Sequence, residues 1–410
     1  MGDKIYGLLG RKLGHSWSVP IHRRLGCEDY RLIELEPGDL ASFLRREDIG
    51  GLNVTIPYKR DVMPYCDELD PAAREIGSVN TLVRRDGKLY GYNTDIDGFL
   101  YMLKRADISL EGKKTVILGS GGASLTAQAA ARRQGAREIV VISRSGPDNY
   151  ENLAERHGDA EVLVNTTPAG MWPQMDAAAV DLTALPHLEA AADVIYNPGR
   201  TKLLLQAEAL GLRWAGGLPM LVAQAVRAEE RFFGRPIPPE RTESITAELW
   251  RQQTNLVLVG MPGSGKTTVG RLLAERTGKP FLDLDSEIVK RAGKSIPDIF
   301  AQAGEASFRD LESKVLAEVC AGSGQVIATG GGSVLRRENR QALRQTGRVY
   351  FLQRDLGQLP TDGRPLSQKG RLEEMYQARL PWYQAAADVT ISNNGARADT
   401  AEAIWRDFYG

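Results

Sequence analysis

The sequence predicts an α/β protein with two globular parts. Short apolar runs of β-forming residues alternate with alanine- and leucine-rich helical stretches, which is the pattern of this fold class. Twice an apolar run enters a glycine-rich turn and continues into a helical stretch, as in parallel sheets whose strands are followed by helices. At about 150 residues per domain, the 410 residues correspond to two or three domains.

Composition and charge exclude several classes of protein. Lysine plus arginine number 52 and aspartate plus glutamate number 52. The sequence therefore lacks the basic excess that is typical of proteins that bind nucleic acid or anionic membranes. No apolar run approaches the roughly 18 residues of a membrane span, and the start lacks the basic and apolar regions of a signal peptide. The three cysteines (Cys27, Cys66 and Cys320) form no CxxC pair, which fits a cytoplasmic protein without disulfides or zinc. The oligomeric state stays open.

Apolar runs mark the predicted strands. Those of the first part are residues 4–10, 115–119, 138–143, 161–165 and 193–197, and those of the last third are 255–260, 325–330 and 348–352. Between the two sets, residues 232–253 combine three prolines with a polar, mixed-charge helical segment. We interpret this stretch as the end of one part and a semi-rigid connector, with the main boundary near residue 253.

A phosphate-binding loop follows the predicted strand at residues 255–260. The pattern G-x-x-x-x-G-K-T lies between a strand and a helix, so its backbone N–H groups can surround phosphate oxygens. Lys266 can reach the outer phosphates of ATP, and the Thr267 hydroxyl can bind Mg²⁺. The residues expected to hold ATP are Gly260, Gly263, Ser264, Gly265, Lys266, Thr267 and Thr268.

Two carboxylates follow this loop in the run Phe281-Leu-Asp283-Leu-Asp285. Their spacing of two places both on one face if the run is a strand. One of them can serve Mg²⁺, while the other can orient or deprotonate an attacking hydroxyl. The pair therefore indicates phosphoryl transfer to an alcohol.

The last part of the chain resembles shikimate kinases over about residues 254–410. The motifs that carry the resemblance occur in the order of that family: GMPGSGKTTVG, FLDLDSEI, GEASFRDLE, ATGGG, GRPL and ARLPWY. The resemblance implies that Asp283 assists Mg²⁺ and that Asp285 binds the substrate hydroxyl and acts as the base. It also implies that Arg309 and Arg379 hold the shikimate carboxylate.

Further kinase roles implied by this resemblance belong to a glycine run and a lid. Gly330, Gly331 and Gly332 would contact the ring hydroxyls, and Arg364 would reach the transferring phosphate from a mobile lid. Such arginines suit a small anionic substrate and the charge that develops on the phosphoryl group. The segment before Arg364 is shorter than usual for the family and lacks a basic residue common before RPL, so the effect of this lid on ATP affinity stays open.

A second glycine turn, in the first part, predicts a dinucleotide site. Residues 115–123 have the pattern of a strand, a G-x-G-G-A turn and the start of an alanine-rich helix, which is a variant of the Rossmann pattern. The next strand ends at Ser143 and Arg144, where an NAD enzyme would have an acidic residue, so NADP(H) is favoured. The residues expected to hold the coenzyme are Gly119, Gly121, Gly122, Ala123, Ser143, Arg144 and Gly217.

The first part resembles shikimate dehydrogenases, nearly complete from residue 1 to about 235. The motifs, in order, are NVTIPYK, SVNT, NTDIDGF, GSGGA, NTTPAGM, DVIYNP and GLPMLVAQA. The resemblance implies that Lys59 and Asp95 form the catalytic pair, since a lysine can protonate the oxyanion formed by hydride transfer. It also implies a set of residues that hold the substrate: Ser16, Ser18, Thr55, Asn80 and Gln224, with Tyr196 nearby.

Two departures from this second family bear on the coenzyme. No basic residue follows Arg144 within residues 145–149, so discrimination between NADP and NAD is expected to be modest. Only 21 residues separate Arg144 from Asn165, which is room for one helix but not for a further strand and helix. A trimmed Rossmann sheet is therefore predicted.

Together the two parts predict a bifunctional enzyme: a two-lobed dehydrogenase followed by a P-loop α/β kinase domain with a parallel sheet. The expected reactions are NADPH-dependent reduction of 3-dehydroshikimate to shikimate, and phosphorylation of shikimate by ATP with Mg²⁺. The expected divisions are a substrate lobe at 1–100 plus 218–236, a Rossmann lobe at 101–217, a linker at 237–253 and a kinase domain at 254–410. Two alternatives stay open: a quinate/shikimate NAD(P) dehydrogenase fused to the kinase, or one half that is a non-catalytic ligand sensor.

Overall fold

The computed structural model describes residues 4–14, 16–359 and 369–410, with side chains from residue 372 onward in the last range. The described residues form two compact units. Those within 1–171, 176–196 and 206–248 make up unit 1, and those within 172–175, 197–205 and 249–410 make up unit 2. In the part of the chain that is described, no helix is long and apolar enough to cross a lipid bilayer.

The first sheet of unit 1 is mixed and has six strands. The strands are β1 (Ile5–Gly10), β2 (Arg31–Glu34), β3 (Ile49–Val54), β4 (Glu68–Leu69), β5 (Thr81–Arg85) and β6 (Lys88–Tyr92), and the helices among them are α1 (Ser18–Arg24), α2 (Leu40–Leu44), α3 (Pro71–Ile76) and α4 (Asp95–Arg105). The strand order is β2-β1-β3-β5-β6-β4. β1 pairs in parallel with β2 and β3, whereas β5 runs antiparallel to β3 and β6.

The second sheet of unit 1 is parallel throughout. Its strands are β7 (Lys114–Leu118), β8 (Glu138–Ile142), β9 (Val162–Asn165), β10 (Ala190–Asp193) and β11 (Arg213–Ala215), followed or joined by α5 (Gly122–Arg133), α6 (Leu153–His157), α7 (Lys202–Ala209), α8 (Leu218–Phe233) and α9 (Pro239–Gln253). The strand order is β11-β10-β9-β7-β8. The chain passes from β8 to β9 through α6 without another strand, so the prediction of a trimmed Rossmann sheet is confirmed.

The sheet of unit 2 is also parallel and has the order β13-β14-β12-β15-β16. Its strands are β12 (Asn255–Val259), β13 (Phe281–Asp283), β14 (Val326–Ala328), β15 (Gly347–Gln353) and β16 (Val389–Ser392). Its helices are α10 (Lys266–Thr277), α11 (Leu284–Ala292), α12 (Ile296–Cys320), α13 (Arg337–Thr346), α14 (Lys369–Ala386) and α15 (Arg397–Tyr409).

The central strand β12 shows how alternation builds the core of unit 2. Val257 and Val259 pack in the apolar cluster on one face of the sheet, and Leu256 and Leu258 pack in the cluster on the other face. Successive side chains of a strand point to opposite faces, so a strand with a core on both faces is apolar throughout. The strand predicted at residues 255–260 is found for this reason.

One predicted strand is wrong. The run at 193–197 was expected to be a strand, but β10 occupies Ala190–Asp193 and pairs with β9. Asp193 ends the strand because its carboxylate accepts from the Ile195 N–H at 3.0 Å, which turns the backbone. Its buried carboxylate also accepts from Asn165 Nδ2 at 3.1 Å. The other seven predicted strands are found within one or two residues at each end.

The stretch predicted to be a semi-rigid connector with a helical segment contains α9. This helix begins at the last of the three prolines, and its Ile245 and Leu249 side chains are fully buried. Within unit 2, the segment 197–205 contributes Arg200, which donates to both oxygens of Asp388 at 2.7 and 2.9 Å. Arg200 also donates to two backbone carbonyls of unit 2 at 2.8 and 2.9 Å. Removal of one partner from such a little-exposed pair usually costs several kcal/mol.

The three cysteines are free thiols. Burial raises the pKa of Cys27 and Cys320 to about 12 and that of Cys66 to about 11. The thiolate is the reactive form, so all three are unreactive near neutral pH. They therefore belong to the packing of the protein rather than to its chemistry.

We expect Gly51→Ala to destabilise unit 1 by about 1–3 kcal/mol, since a new methyl group must displace a buried ring. A Cβ at this position of β3 would lie 2.2 Å from Cδ1 of Phe232 on α8. Denaturant unfolding followed by the fluorescence of unit 1 measures the effect. Gly38→Ala is the matched control, because its Cβ would meet nothing within 4 Å. Equal stabilities of the two variants would contradict the packing of α8 on β3.

Candidate active sites

Four segments of unit 1 meet at one edge of the mixed sheet. β1 and β3 are parallel, so both end at this edge and are followed there by residues 16–18 and 55–59. β5 runs in the opposite direction, so its start at Thr81 lies at the same edge. β6 is antiparallel to β5 and ends there, just before Asp95. Strand direction therefore brings together residues that are far apart in the sequence.

Lys59 and Asp95 form an ion pair at this edge. Lys59 Nζ donates to Asp95 Oδ2 at 2.6 Å, and the two side chains are 28% and 19% exposed. Asn80 Nδ2 donates to the other carboxylate oxygen at 2.8 Å. Asp95 begins α4, where the partial positive charge of the helix N-terminus favours a carboxylate. The pair is held on one side by buried groups and is open on the other, as a proton-transfer pair must be.

The other predicted substrate residues lie on separate elements of unit 1. The Ser18 N–H donates to Ser16 Oγ at 3.2 Å, at the start of α1. The Thr55 N–H donates to the backbone of β1 at 2.9 Å. Gln224 Nε2 donates to a carbonyl of its own helix, α8, at 2.8 Å. Burial raises the pKa of Tyr196, so its phenol stays neutral near pH 7 and can donate a hydrogen bond.

The glycine turn after β7 leaves open space in front of a helix. Gly119 has φ +101°, and a Cβ there would lie 2.9 Å from Thr167, so only glycine fits. Gly121 caps the N-terminus of α5, and a Cβ at Gly121 or Gly122 would meet nothing within 4 Å. Free N–H groups at a helix N-terminus bind phosphate. At Gly217 a Cβ would lie 2.1 Å from the Val194 carbonyl oxygen, so this glycine permits close backbone packing before α8.

An arginine of α6 that sequence reasoning missed contacts the loop after β8. Ser143 and the exposed Arg144 follow β8 directly. Arg156, on α6, donates to the Asp148 carboxylate of this loop at 2.6 Å. His157 Nε2 lies 2.9 Å from the same carboxylate. The loop therefore contains more positive charge than residues 143–149 alone suggest, although Asp148 offsets part of it.

A cleft of about 650 Å³ lies at the carboxyl ends of the unit 2 strands. It is lined by most of the predicted kinase residues: Gly263, Gly265, Lys266, Thr267, Thr268, Asp283, Asp285 and Gly331. Besides Pro262 of the loop itself, four further lining residues were not identified from the sequence: Thr329, Arg354, Gln358 and Arg397. They follow the ends of β14, β15 and β16, and only the strand order shows that these ends lie beside the phosphate-binding loop.

The phosphate-binding loop wraps around the Lys266 side chain. Lys266 is buried, and its Nζ donates to the carbonyls of Gly260 and Met261 at 2.9 Å each. Gly265 has φ +97° and caps α10. The buried Ser264 carbonyl accepts from Asn393 Nδ2 at 2.5 Å, which ties the loop to the segment after β16. The lysine is thus held against the loop by two of its backbone carbonyls.

Asp283 and Asp285 do not share a strand, so that expectation is wrong. Asp283 ends β13 and caps α11 by accepting from the Ser286 N–H at 3.2 Å, whereas Asp285 lies in the first turn of α11. Both still face the cleft. The short β13 ends early because the Asp283 carboxylate satisfies a free N–H group of the following helix.

Asp283 and Thr267 form an oxygen pair suited to Mg²⁺. Thr267 Oγ1 donates to Asp283 Oδ2 at 2.8 Å. Mg²⁺ prefers oxygen ligands and is commonly held by one or two carboxylates with phosphates and water. Within the described residues, no group of three histidine, cysteine or acidic side chains forms a closed metal site. The residues present therefore fit a Mg²⁺ ion shared with a phosphate ligand.

Arg309 and Arg379 come together with the glycine run, of which Gly331 lines the cleft. A Cβ at Gly332 would lie 2.5 Å from the Arg309 guanidinium, and Arg379 Nη1 donates to the Gly331 carbonyl at 3.2 Å. Arg309 Nη1 donates to the buried Glu312 at 2.7 Å. Glu312 was missed from the sequence, although its spacing of three from Arg309 on one helix is a usable signal. Arg364 lies outside the described residues.

Opposing charges surround Asp285. Its side chain is open to the cleft, yet partial desolvation by the cleft walls raises its pKa. The carboxylate of Asp283 raises this pKa further, while Lys266 and Arg309 oppose the increase. A Cβ at Gly330 would lie 2.7 Å from Asp285 Oδ1, so the glycine leaves this carboxylate room. A carboxylate with a raised pKa is a better proton acceptor near neutral pH.

Comparison with known proteins identifies the first part of the chain. A shikimate dehydrogenase (NADP(+)) from Clostridium perfringens is 36% identical over 266 residues, which is 60% of this chain and 98% of that protein. The enzyme of the same name from Geobacillus kaustophilus is 36% identical over 275 residues, 61% of this chain and 100% of that protein. The chain belongs to the shikimate dehydrogenase family. The resemblance expected from its motifs is confirmed.

Family models match both the first part and the last part of the chain. Residues 8–82 match the shikimate dehydrogenase substrate binding domain, and residues 262–408 match shikimate kinase. The fusion of the two families, expected from the order of motifs, is confirmed. The dehydrogenase relatives align with about 60% of the chain, and the kinase match accounts for most of the remainder.

Solved structures align with the dehydrogenase part. A chorismate mutase/shikimate 5-dehydrogenase fusion protein from Clostridium acetobutylicum has a TM-score of 0.58 and 34% identity, and the alignment covers 61% of this chain and 98% of that one. Shikimate 5-dehydrogenase from Thermus thermophilus, solved with NADP(H) and shikimate, has a TM-score of 0.54 and 31% identity, with 60% and 99% covered. The two-lobed Rossmann architecture is shared with these proteins.

We expect the pKa of Asp285 in the unliganded protein to lie above the ordinary aspartate value of about 3.9. Asp283→Asn should lower it, because a like charge is removed, and Lys266→Met should raise it, because an opposite charge is removed. Carboxyl-carbon NMR titration measures both shifts. A base acts in its ionised form, so kinase activity should increase with pH through this pKa. A raised pKa of Asp285 in Asp283→Asn, or a lowered one in Lys266→Met, would contradict the arrangement of charges.

Proposed function

We propose that this chain catalyses two consecutive reactions: unit 1 reduces 3-dehydroshikimate to shikimate with NADPH, and unit 2 phosphorylates shikimate with ATP and Mg²⁺. The Lys59–Asp95 pair, with 2.6 Å between Nζ and Oδ2, supports the first reaction in a chain related to NADP-dependent shikimate dehydrogenases. The cleft that joins the phosphate-binding loop to Asp283 and Asp285 supports the second, in a stretch that matches shikimate kinase.

In the dehydrogenase reaction Lys59 is the proton donor. Its ammonium gives a proton to the substrate carbonyl oxygen as hydride reaches the carbon, so the ketone becomes an alcohol. Asp95 holds Nζ in place through Oδ2, while Asn80 fixes Oδ1. Bound NADPH supplies the hydride. Ionic contacts of this kind stabilise the charge that develops on the oxygen because they are already oriented.

Substrate and coenzyme contacts complete the dehydrogenase proposal. The substrate carboxylate and hydroxyls would bind the set Ser16, Ser18, Thr55, Asn80, Tyr196 and Gln224. The coenzyme pyrophosphate would lie at the open N-terminus of α5, near Gly121, Gly122 and Ala123. Arg144 and Ser143 would contact the 2′-phosphate, since an exposed guanidinium forms charge-assisted hydrogen bonds to phosphate.

In the kinase reaction Asp285 accepts the proton of the attacking shikimate hydroxyl. Arg309 and Arg379 hold the shikimate carboxylate, with Arg309 oriented by Glu312. Lys266 and the surrounding N–H groups bind the ATP phosphates. Thr267 and Asp283 would hold Mg²⁺, which neutralises phosphate charge when bound. Arg364 would place a positive charge beside the phosphoryl group that is transferred.

We expect Lys59→Ala to lower the dehydrogenase kcat by roughly 10²–10⁴-fold, because the reaction loses its proton donor. Phosphorylation of shikimate by the same variant should stay near the parent rate, since Lys59 belongs to unit 1. A coupled assay with 3-dehydroshikimate, NADPH, ATP and Mg²⁺ measures both NADPH loss and ADP formation. Parallel assays with shikimate and quinate test the mixed-specificity alternative.

Lys266→Ala is the reciprocal control for this experiment. It should remove the kinase activity and leave dehydroshikimate reduction intact, because Lys266 lies in the phosphate-binding loop of unit 2. Dehydrogenase activity of Lys59→Ala within threefold of the parent would refute the assignment of the proton donor. A parent protein that binds both substrates but turns over only one would favour the sensor alternative.

We expect a preference for NADP over NAD on the order of 10- to 100-fold in kcat/KM, which is roughly 1.4–2.7 kcal/mol. Arg144→Ala should erase most of it by weakening NADP use and leaving NAD use unchanged. Arg137→Ala is a matched control, because Arg137 is exposed in the same lobe and pairs with Glu161 instead. Steady-state kinetics with both coenzymes on the three proteins measure the preference. An unchanged ratio in Arg144→Ala would refute the assignment.

A further inference from the structure

A one-way chain of hydrogen bonds leads through the interior of the mixed sheet to Asp95. Tyr30 Oη donates to Asn53 Oδ1 at 2.8 Å, and Asn53 Nδ2 donates to Thr81 Oγ1 at 3.4 Å. Thr81 Oγ1 donates to Asn80 Oδ1 at 3.1 Å. Asn80 Nδ2 then donates to Asp95 Oδ1 at 2.8 Å. Every donor in this series faces the carboxylate, which is the final acceptor.

The direction of the last two links, Thr81 to Asn80 and Asn80 to Asp95, follows from backbone geometry. The Thr94 N–H donates to Asn80 Oδ1 at 2.7 Å, and a backbone N–H can only donate. The Asn80 oxygen therefore faces Thr94, and its amide nitrogen must face Asp95. The register of β3 and β5 places Asn53 directly opposite Thr81, so this link is a cross-strand contact.

The chain is buried and anchored at its far end. Tyr30, Asn53, Thr81 and Asn80 are 1%, 5%, 0% and 3% exposed. The Tyr30 ring stacks on His22 with 3.8 Å between centroids and 4° between planes. The buried polar groups would cost free energy if unpaired, and paired groups in a low-dielectric interior polarise one another.

We propose that Tyr30, Asn53 and Thr81 are positioning residues for the dehydrogenase reaction. They orient the Asn80 carboxamide, which fixes one oxygen of Asp95 and leaves the other for Lys59. This inference rests on the proposed role of Lys59 and Asp95 in proton transfer. The three residues act through Asn80, because they are enclosed in the sheet and do not border the open side of the ion pair.

Two substitutions of Thr81 separate its hydroxyl from its shape. Thr81→Val keeps the branched shape but removes the hydroxyl, and it should lower the dehydrogenase kcat roughly tenfold through misplacement of the catalytic pair. Thr81→Ser keeps the hydroxyl but loses a methyl group, and its kcat should stay within threefold of the parent. The concentration of NADPH-binding sites, measured by titration, corrects each kcat for the fraction of folded protein.

Thr115→Val is the matched control. Thr115 is also fully buried in a strand of unit 1, but its Oγ1 has no hydrogen-bond partner. The variant should therefore keep the parent kcat. Tyr30→Phe removes the first donor of the chain. It should lower kcat only about threefold, because Tyr30 is further from Asp95 than Thr81 is. Added to Thr81→Val it should cause no further loss, because the chain is already broken.

Three results would overturn the inference: a kcat of Thr81→Val within twofold of the parent, an equal loss in Thr81→Ser, or an equal loss in Thr115→Val. Lys59→Ala, assayed in the same series, keeps the proposed function separate. An active parent that loses its activity in Lys59→Ala but not in Thr81→Val refutes the positioning role alone. A parent that does not reduce 3-dehydroshikimate removes both the proposed function and the inference built on it.

Discussion

Strand direction is the constraint on which the sites in both units depend. Strands that run in the same direction end at the same edge of a sheet, so the turns that follow them meet there. In unit 2 the ends of β12, β13 and β14 bring the phosphate-binding loop, Asp283 and the glycine run to one cleft. In unit 1 the ends of β7 and β8 precede the glycine turn and Arg144. Residues remote in the sequence share a site because their strands share a direction.

The two units arrange charge in different ways. In unit 1 a lysine and an aspartate neutralise each other at 2.6 Å, and a third group holds the carboxylate on its buried side. A pair of this kind suits a reaction that delivers one proton to an oxygen of the substrate. In unit 2 burial in the cleft and then repulsion by the nearby Asp283 carboxylate raise the pKa of Asp285. That repulsion suits a cleft that receives a cation together with a polyanion.

Some of the residues that shape the sites were not apparent from the sequence. Glu312 orients Arg309 and is bound in turn by the Ser333 hydroxyl at 2.7 Å. Its helical spacing from Arg309 made it recognisable in principle. Arg156 contacts the Asp148 carboxylate in the loop after β8, and no local pattern indicates that ion pair. The same holds for Asp193, whose buried carboxylate ends β10 and corrects the strand expected at 193–197.

The sequence by itself determined the α/β class, the fusion of two families, and both strand–glycine–helix turns. These features depend on local requirements: alternation of apolar residues, free N–H groups at a helix N-terminus, and φ values that only glycine tolerates. Only the tertiary structure decided that Asn80 holds Asp95, that Asp283 caps a helix, and that Tyr30 and Asn53 line a path to the ion pair. Contacts of this kind depend on the register and direction of paired strands. Register and direction are determined jointly by residues that are far apart in the sequence.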